Sequence, residues 1–233
     1  MLFSRPTLKS LLSGFTDYHS HILPGVDDGV KNMEGALDVL AHYEQIGVSA
    51  VWCTPHIMED IPNATDFLRT RFEDLRSAYP GPIQLHLASE NMMDALFEER
   101  LENNDLLPLC EDQRYLLVET SYFNPPMGMK DLLRQILKKG YFPVLAHPER
   151  YEYMNENDYR ELKTLGVLFQ MNLSSLAGAY GGNAKAKSEW LLKNEMYNIF
   201  GSDLHSLRNL EFWNYRGKYN KYLKQQIQSI FNQ

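Results

Sequence analysis

The sequence predicts a parallel α/β fold closed into a barrel. Three observations carry the prediction. Short apolar runs rich in branched and aromatic residues alternate about seven times with helical patterns, the order expected of parallel strands joined by crossover helices. Histidines and carboxylates collect at the C-terminal ends of those runs. No Gly/Ser- or Pro-rich linker, clear repeat or low-complexity tract divides the 233 residues, so a single domain over 1–233 is expected.

The strand runs, in order, are FTDYHSH (15–21), SAVWCTPH (49–56), IQLHLASE (83–90), YLLVETS (115–121), FPVLAHPE (142–149), VLFQMNLS (167–174) and NIFGSDLH (198–205). Each is a buried run that closes on polar residues. Between the first two, NMEGALDVLAHYEQIG sets Met33, Leu37, Leu40 and Tyr43 on one helical face, with Gly47 as the stop. MKDLLRQILKKG repeats the design with Leu132, Leu133, Ile136 and Leu137 before Gly140, and YRELKTLG ends on Gly166. The segment 206–233 carries Tyr215, Tyr219, Tyr222 and Leu223 at helical spacing beside Arg216, Lys218, Lys221 and Lys224. It reads as a C-terminal helix packed on the barrel with a solvated basic face.

The strand ends decide between an open sheet and a barrel. His19 and His21 end the first run, His56 the second, Glu90 the third, Glu119 the fourth and His147 the fifth; Asp203 and His205 close the seventh. In an open sheet the ends of the edge strands stay too far apart to meet. A barrel gathers them at one mouth, where such folds place their active sites.

Composition narrows the classes. The net charge of −7 leaves no electrostatic footprint for nucleic acid. No run approaches the ~20 apolar residues of a membrane helix. The N-terminal MLFSRPTLKSLLSGF has neither a sustained apolar run nor a small-residue cleavage site, so a cytoplasmic protein without membrane insertion is expected. Cys53 and Cys110 form no CxxC pair and no disulfide framework. Nor does either head a Cys-x5-Arg phosphate loop: six residues on stand Glu59 and Leu116.

Singly, the polar strand ends are ordinary. Jointly they resemble a metal centre, because five of seven histidines sit on strand ends. Residues i and i+2 of a strand share a face, so His19 and His21 reach one ion together. Asp17, on that face by the same alternation, is placed to accept the second ring N–H of a histidine. Imidazole plus carboxylate without cysteine suits manganese, iron or zinc. The ligands suffice for two or three divalent ions. Four ligating carboxylates and three such ions would bring the charge near −1 (−7 + 6). His42 lies on a helix and His86 inside a strand run, and both are left out.

The ordered motifs DYHSHILPGVDDG, TPH, HPER and SDLH resemble the PHP superfamily, named for polymerase and histidinol phosphatase. The form HSHxLxxxDDG followed by TPH and HPERY is similar to its capsule-operon tyrosine phosphatases, the CpsB-like group, over residues 17 to 208. The resemblance implies a distorted seven-stranded β/α barrel, TIM-like, with its active site at the C-terminal ends of the strands. It implies that His19, His21 and Asp203 hold a first ion, that Glu90 bridges to a second completed by Glu119 and His147, and that Asp28, His56 and His205 hold a third. Asp28 rather than Asp27 is taken from the DDG. Arg150 is implied as the catalytic, phosphate-binding cation, with Arg208 as a second candidate. Tyr122 and Phe123, in SYFNPPMGM, are expected to wall the pocket for an aromatic ring, and Met127 to cover the mouth.

The implied activity is metal-dependent protein-tyrosine phosphatase, with manganese as the leading metal and iron or zinc as alternatives. Its implied substrate is a phosphotyrosine protein, the tyrosine-rich tail of a bacterial autokinase that controls capsule or exopolysaccharide export. Divalent ions lower the pKa of bound water from ~15.7 towards ~7, which supplies hydroxide for attack on phosphorus. Two other readings stand beside it: a small-molecule phosphatase of the same superfamily, such as one for histidinol phosphate, and a non-catalytic metal-binding scaffold. Asn91 departs from the aromatic or apolar residue expected of close relatives.

Overall fold

In the computed structural model, which describes residues 7, 9–110, 112, 114–214 and 222–226, the seven apolar runs form nine strands. They are β1 (Thr16–Ser20), β2 (Ala50–Cys53), β3 (His56–Ile57), β4 (Gln84–Leu87), β5 (Glu90–Met92), β6 (Tyr115–Glu119), β7 (Phe142–Ala146), β8 (Leu168–Asn172) and β9 (Ile199–Gly201). The second and third runs each yield two strands. Thr54 and Pro55 interrupt one, proline having no N–H for the ladder, and Ala88 and Ser89 interrupt the other.

The expected single closed sheet of seven strands is therefore not what the hydrogen bonding gives. There is a three-stranded sheet, β1-β2-β4, and a six-stranded sheet, β3-β5-β6-β7-β8-β9, with every pair parallel. Together they make a mixed α/β fold whose parallel sheet curls into a half-barrel. The two sheets meet through backbone bonds at the interruptions: Thr54 donates to Ser20 at 2.8 Å, Ala88 to Cys53 at 2.9 Å and Glu90 to Pro55 at 3.1 Å. On the other side of β1, Asp203 donates to His19 at 2.8 Å and His21 to Leu204 at 2.9 Å.

Among the described residues up to 214, six α-helices lie between strands: α1 (Met33–Ile46), α2 (Thr65–Ala78), α3 (Ala95–Asn103), α4 (Met129–Lys138), α5 (Glu156–Leu165) and α6 (Gly181–Lys193). The Asn32 side chain caps α1 by accepting from Gly35, and Gly47 ends it in the left-handed conformation. Its buried face is Ala36, Val39, Leu40, Tyr43 and Ile46, turned slightly from the predicted stripe so that Met33 and Leu37 stay half-buried. α4 buries Leu132, Leu133 and Ile136 as expected, while α5 starts on an Asn155–Asp158 capping box and stops at Gly166.

Strand residues alternate between two apolar layers. Val51, Cys53, Leu116, Val118, Leu145 and Phe169 pack with the helices. Trp52, Ala88, Leu117, Val144 and Ala146, with Tyr18, Tyr115, Leu168 and Ile199, fill the other side of the sheet. The first layer is the larger, and it anchors the strand ends that carry the site.

The expected helix over 206–233 is described only in part. Leu207–Asn214 is a 3-10 segment that buries Leu210 and Trp213, and 222–226 is helical with Leu223 buried. Residues 215–221 and 227–233, with Tyr215, Arg216, Lys218, Tyr219 and Lys221, lie outside the described residues. Among the described residues no helix is long and apolar enough to cross a membrane.

Candidate active site

The fold brings the nine expected metal ligands together, with Glu90 at the centre. Glu90 opens β5 in register with His56 of β3. Its Oε2 lies 3.1 Å from His19 Nε2, 3.3 Å from His21 Nε2 and 3.2 Å from His56 Nδ1; its Oε1 lies 3.0 Å from His147 Nε2. Glu119, last in β6, sets Oε1 3.1 Å from His56 Nδ1 and Oε2 3.9 Å from His147 Nε2. Asp203 Oδ1 stands 3.6 Å and 3.4 Å from the Nε2 atoms of His19 and His21 and 3.5 Å from His205 Nδ1. At the rim, Asp28 Oδ1 is 3.5 Å from His56 Nε2 and 3.3 Å from His205 Nε2.

Three overlapping sets have donor atoms mutually within 4.8 Å: His19, His21, Glu90 and Asp203; His56, Glu90 and Glu119; and His21, Asp28, His56 and His205. The first contains the trio expected for one ion and adds Glu90. The third contains the trio expected at the rim and adds His21. The second holds His56 where His147 was expected, while His147 faces the same two carboxylates from the other side.

The donors fit a metal. His56 Nδ1, Glu90 Oε2 and Glu119 Oε1 are buried and make no hydrogen bond despite lying close together. Buried polar atoms are ordinarily paired, and these three point at one another instead. The charges agree. Burial opposes ionisation of Glu90, but His19, His147 and His21 hold it well below the usual carboxylate range. Asp203 is held down in the same way by His21, His19 and Arg150. Burial opposes protonation of His19, yet Glu90 and Asp203 push it up to about 9. A divalent cation satisfies such a carboxylate-rich set with the imidazoles neutral.

The backbone is distorted where the ligands leave the strands. His147 has φ 32° and Asp203 φ 50°, the left-handed region that favours glycine. Such strain persists only where surrounding structure enforces it, and it gathers at functional sites. Two glycines admit the ligands closely. A Cβ on Gly29 would lie 2.2 Å from His21 O, and one on Gly201 2.4 Å from His19 Cβ.

The outer shell differs from the expectation for Asp17. The β1–β2 register shifts between Asp17 and Ser20, so the simple alternation fails there. Asp17 accepts from Tyr43 Oη at 2.7 Å, from the Ser202 N–H at 2.8 Å and from the His19 N–H at 3.2 Å, and among the described residues no imidazole ring N–H is bonded to it. The ring N–H of His19 goes to Gln170, Nδ1 to Oε1 at 2.9 Å. That of His21 goes to Asp27, Nδ1 to Oδ2 at 2.9 Å. Gln170 Oε1 also accepts the His147 N–H at 3.1 Å. Sequence reasoning missed Gln170, although it follows Phe169 with the alternation that points it into the curl.

Beside the ligands lies Arg150. Its Nη1 pairs with Asp203 Oδ2, the oxygen facing away from His19 and His21. Its Cζ lies 4.5 Å from the Tyr122 ring centroid. Phe123, in the loop after β6, is 66% exposed, and Met127 fully so. Arg208 is exposed on the 3-10 segment, and among the described residues no hydrogen bond or ion pair ties it to the site. Asn91 bonds Ser89 and Leu117 and contacts none of the ligands by hydrogen bond. Glu149, unassigned from the sequence, is buried and accepts from Ser175 Oγ, the Asn172 N–H and Tyr197 Oη, so it braces the turn under Arg150. His42 is half-buried on α1, and His86 stacks on Trp52 at 4.6 Å.

Comparison with known proteins finds the same kind of chain. Residues 15–212 match the family described as capsular polysaccharide synthesis, CpsB/CapC. Tyrosine-protein phosphatase CpsB of Streptococcus pneumoniae is 32% identical over 210 residues, covering 82% of this chain and 83% of that protein. Tyrosine-protein phosphatase YwqE of Bacillus subtilis is 29% identical over 208 residues, covering 84% and 79%. A crystal structure from work on YwqE and S. pneumoniae CpsB, described as metal-dependent tyrosine phosphatases, superposes with a TM-score of 0.78 at 25% identity, covering 94% of this chain and 86% of that one.

Proposed function

The chain belongs to the CpsB/CapC capsular polysaccharide synthesis family, and from that premise we propose that it is a metal-dependent protein-tyrosine phosphatase. One observation supports this most strongly. Asp203 faces the candidate ligands with one oxygen and Arg150 with the other, so a cation for phosphate stands directly beside the metal donors.

We assign His19, His21, Glu90 and Asp203 to one ion. Glu90, Glu119 and His147 take a second, and Asp28, His56 and His205 a third, so that each imidazole serves one ion. Manganese is the leading metal, with iron and zinc as alternatives. Bound divalent ions activate water at neutral pH and offset phosphoryl charge. The chain's own residues do the rest. Gln170 and Asp27 keep the protons of His19 and His21 on Nδ1, so that both Nε2 lone pairs face the centre. Arg150 binds the phosphate oxygens through charge-assisted hydrogen bonds. Tyr122 and Phe123 wall the ring of the substrate, and Arg208, exposed three residues beyond His205, is the second candidate cation for the phosphate. Phenolate is a fair leaving group, so no side chain is required as a general acid.

The interruptions after Cys53 and Leu87 are read as breaks in two of seven staves of a distorted barrel, a single unit over 1–233. The substrate is read as the phosphotyrosine tail of a bacterial kinase, met in the cytoplasm. The test is phosphate release from a phosphotyrosyl peptide with and without Mn²⁺, beside His147→Ala. Metal-dependent release that is lost in the variant supports the assignment. Failure with every divalent metal overturns it and turns attention to histidinol phosphate.

A further inference from the structure

Tyr180 lies in GAYGG, where no role was legible from the sequence. Gly178 and Gly181, at φ 87° and 88°, turn the chain sharply on both sides of it. Its ring centroid is 4.1 Å from Arg150 Cζ, while Tyr122 approaches the same carbon at 4.5 Å from a separate loop. Asn172 Nδ2 donates both to Tyr180 Oη, at 3.0 Å, and to Asp203 Oδ2, at 2.9 Å. Ring, guanidinium and ligand carboxylate are thereby linked through one amide.

We propose that Tyr180 is a positioning residue that, opposite Tyr122, grips the Arg150 guanidinium between two aromatic faces and aims its unpaired N–H groups at substrate phosphate. This rests on the phosphatase reading, in which Arg150 binds phosphate. A carboxylate that held Arg150 would occupy its donors. A ring face attracts the cation without taking an N–H. Among the described residues Asp203 Oδ2 is the one acceptor hydrogen-bonded to the Arg150 side chain, so most of the fork stays available. Holding a planar fork in advance lowers the ordering cost of binding an oxyanion. The two rings are not equivalent. Tyr122 is braced by Tyr151 and by His147, with ring centroids 6.1 Å and 5.9 Å away. Tyr180 comes on its own loop.

The test is calorimetric binding of inorganic phosphate to the manganese-loaded protein, beside KM and kcat for a phosphotyrosyl peptide. Tyr180→Leu keeps bulk and removes the π face; Tyr180→Phe keeps the face and removes the hydroxyl. Tyr180→Leu is expected to weaken phosphate binding about tenfold and to raise KM similarly, with unchanged manganese content. Tyr180→Phe is expected to restore affinity to within about twofold. Unchanged phosphate affinity in Tyr180→Leu overturns the proposal, as does an equal loss in Tyr180→Phe or a wild-type protein that binds no phosphate. Should Tyr180→Leu misfold, Tyr180→Trp, which keeps a face, must retain affinity. A wild-type protein that binds phosphate but cleaves no peptide refutes the phosphatase reading, while the affinity series still decides the role of Tyr180.

Discussion

Asp27 Oδ2 accepts the ring N–H of His21 at 2.9 Å and the backbone N–H of His56 at 3.1 Å. One carboxylate thus orients a ligand from β1 and anchors the start of β3. Although burial pushes it up, the bond from His21 holds Asp27 below the usual carboxylate range. The two aspartates of DDG divide the work, Asp27 orienting and Asp28 facing the rim histidines.

Asp27→Ala should weaken metal affinity about 10- to 100-fold, the usual penalty for losing an outer-shell partner. Titration against a fluorescent chelator measures it. Affinity equal to wild type would show that His21 is oriented without Asp27.

Gly201→Ala should reduce both metal content and stability. Its Cβ would lie 2.4 Å from His19 Cβ and 2.8 Å from Gln170 Nε2, so a ligand or its support must shift. Overpacking of this kind costs about 1–3 kcal/mol. Gly182→Ala, which meets nothing within 4 Å, is the control. Metal analysis and thermal melting distinguish them; equal behaviour refutes the steric account.

Removing metal should lower the melting temperature. Ions present at 100 times Kd contribute about 2.7 kcal/mol, which is about 5–10 °C for a domain of this size. Calorimetry after chelation and again after adding Mn²⁺ reads it. An unchanged melting point on both occasions would mean that the donors hold no ion.

The cysteines should be dispensable and unreactive. Burial raises both thiols above their ordinary value, so they are protonated at pH 7, and alkylation should keep accelerating as pH rises past 9. Cys53 is fully buried and Cys110 half-buried, so Cys110 reacts first. Cys110→Ser and Cys53→Ala should each retain phosphatase activity within about twofold. Loss of turnover in both would reopen a thiolate mechanism.

What was legible in the sequence follows from periodicity. His19, His21, Glu119, His147, Asp203 and His205 could be placed because each ends an apolar run, and run ends converge in a curled parallel sheet. Glu90 and His56 were found by the same rule, yet they open short strands, because breaks at Thr54–Pro55 and Ala88–Ser89 split their runs. The expectation for Asp17 fails because it pairs in register with Val51 on the helix-facing layer, where Tyr43 meets it, while the shift that follows separates it from the face of His19, and alternation carries no sign of such a shift. Gln170, Asn172 and Tyr180 were missed because amides and a loop tyrosine have no distinctive spacing. Only the third dimension sets them against His19, Asp203 and Arg150.

His19 and Asp203 stand at opposite ends of the chain and are joined by the Asp203 N–H to His19 O bond. This fixes the timing of the centre during synthesis. When Glu119 emerges from the ribosome, six of the nine donors exist, but β9 and the Asp203 that follows it are still unmade. At about 5–20 residues per second that strand arrives roughly 4–17 s later. Arg150 is made within that interval, but until Asp203 follows, it has no carboxylate to set it beside the donors. The full donor set can close only when the segment after β9, the last of the described strands, docks beside β1.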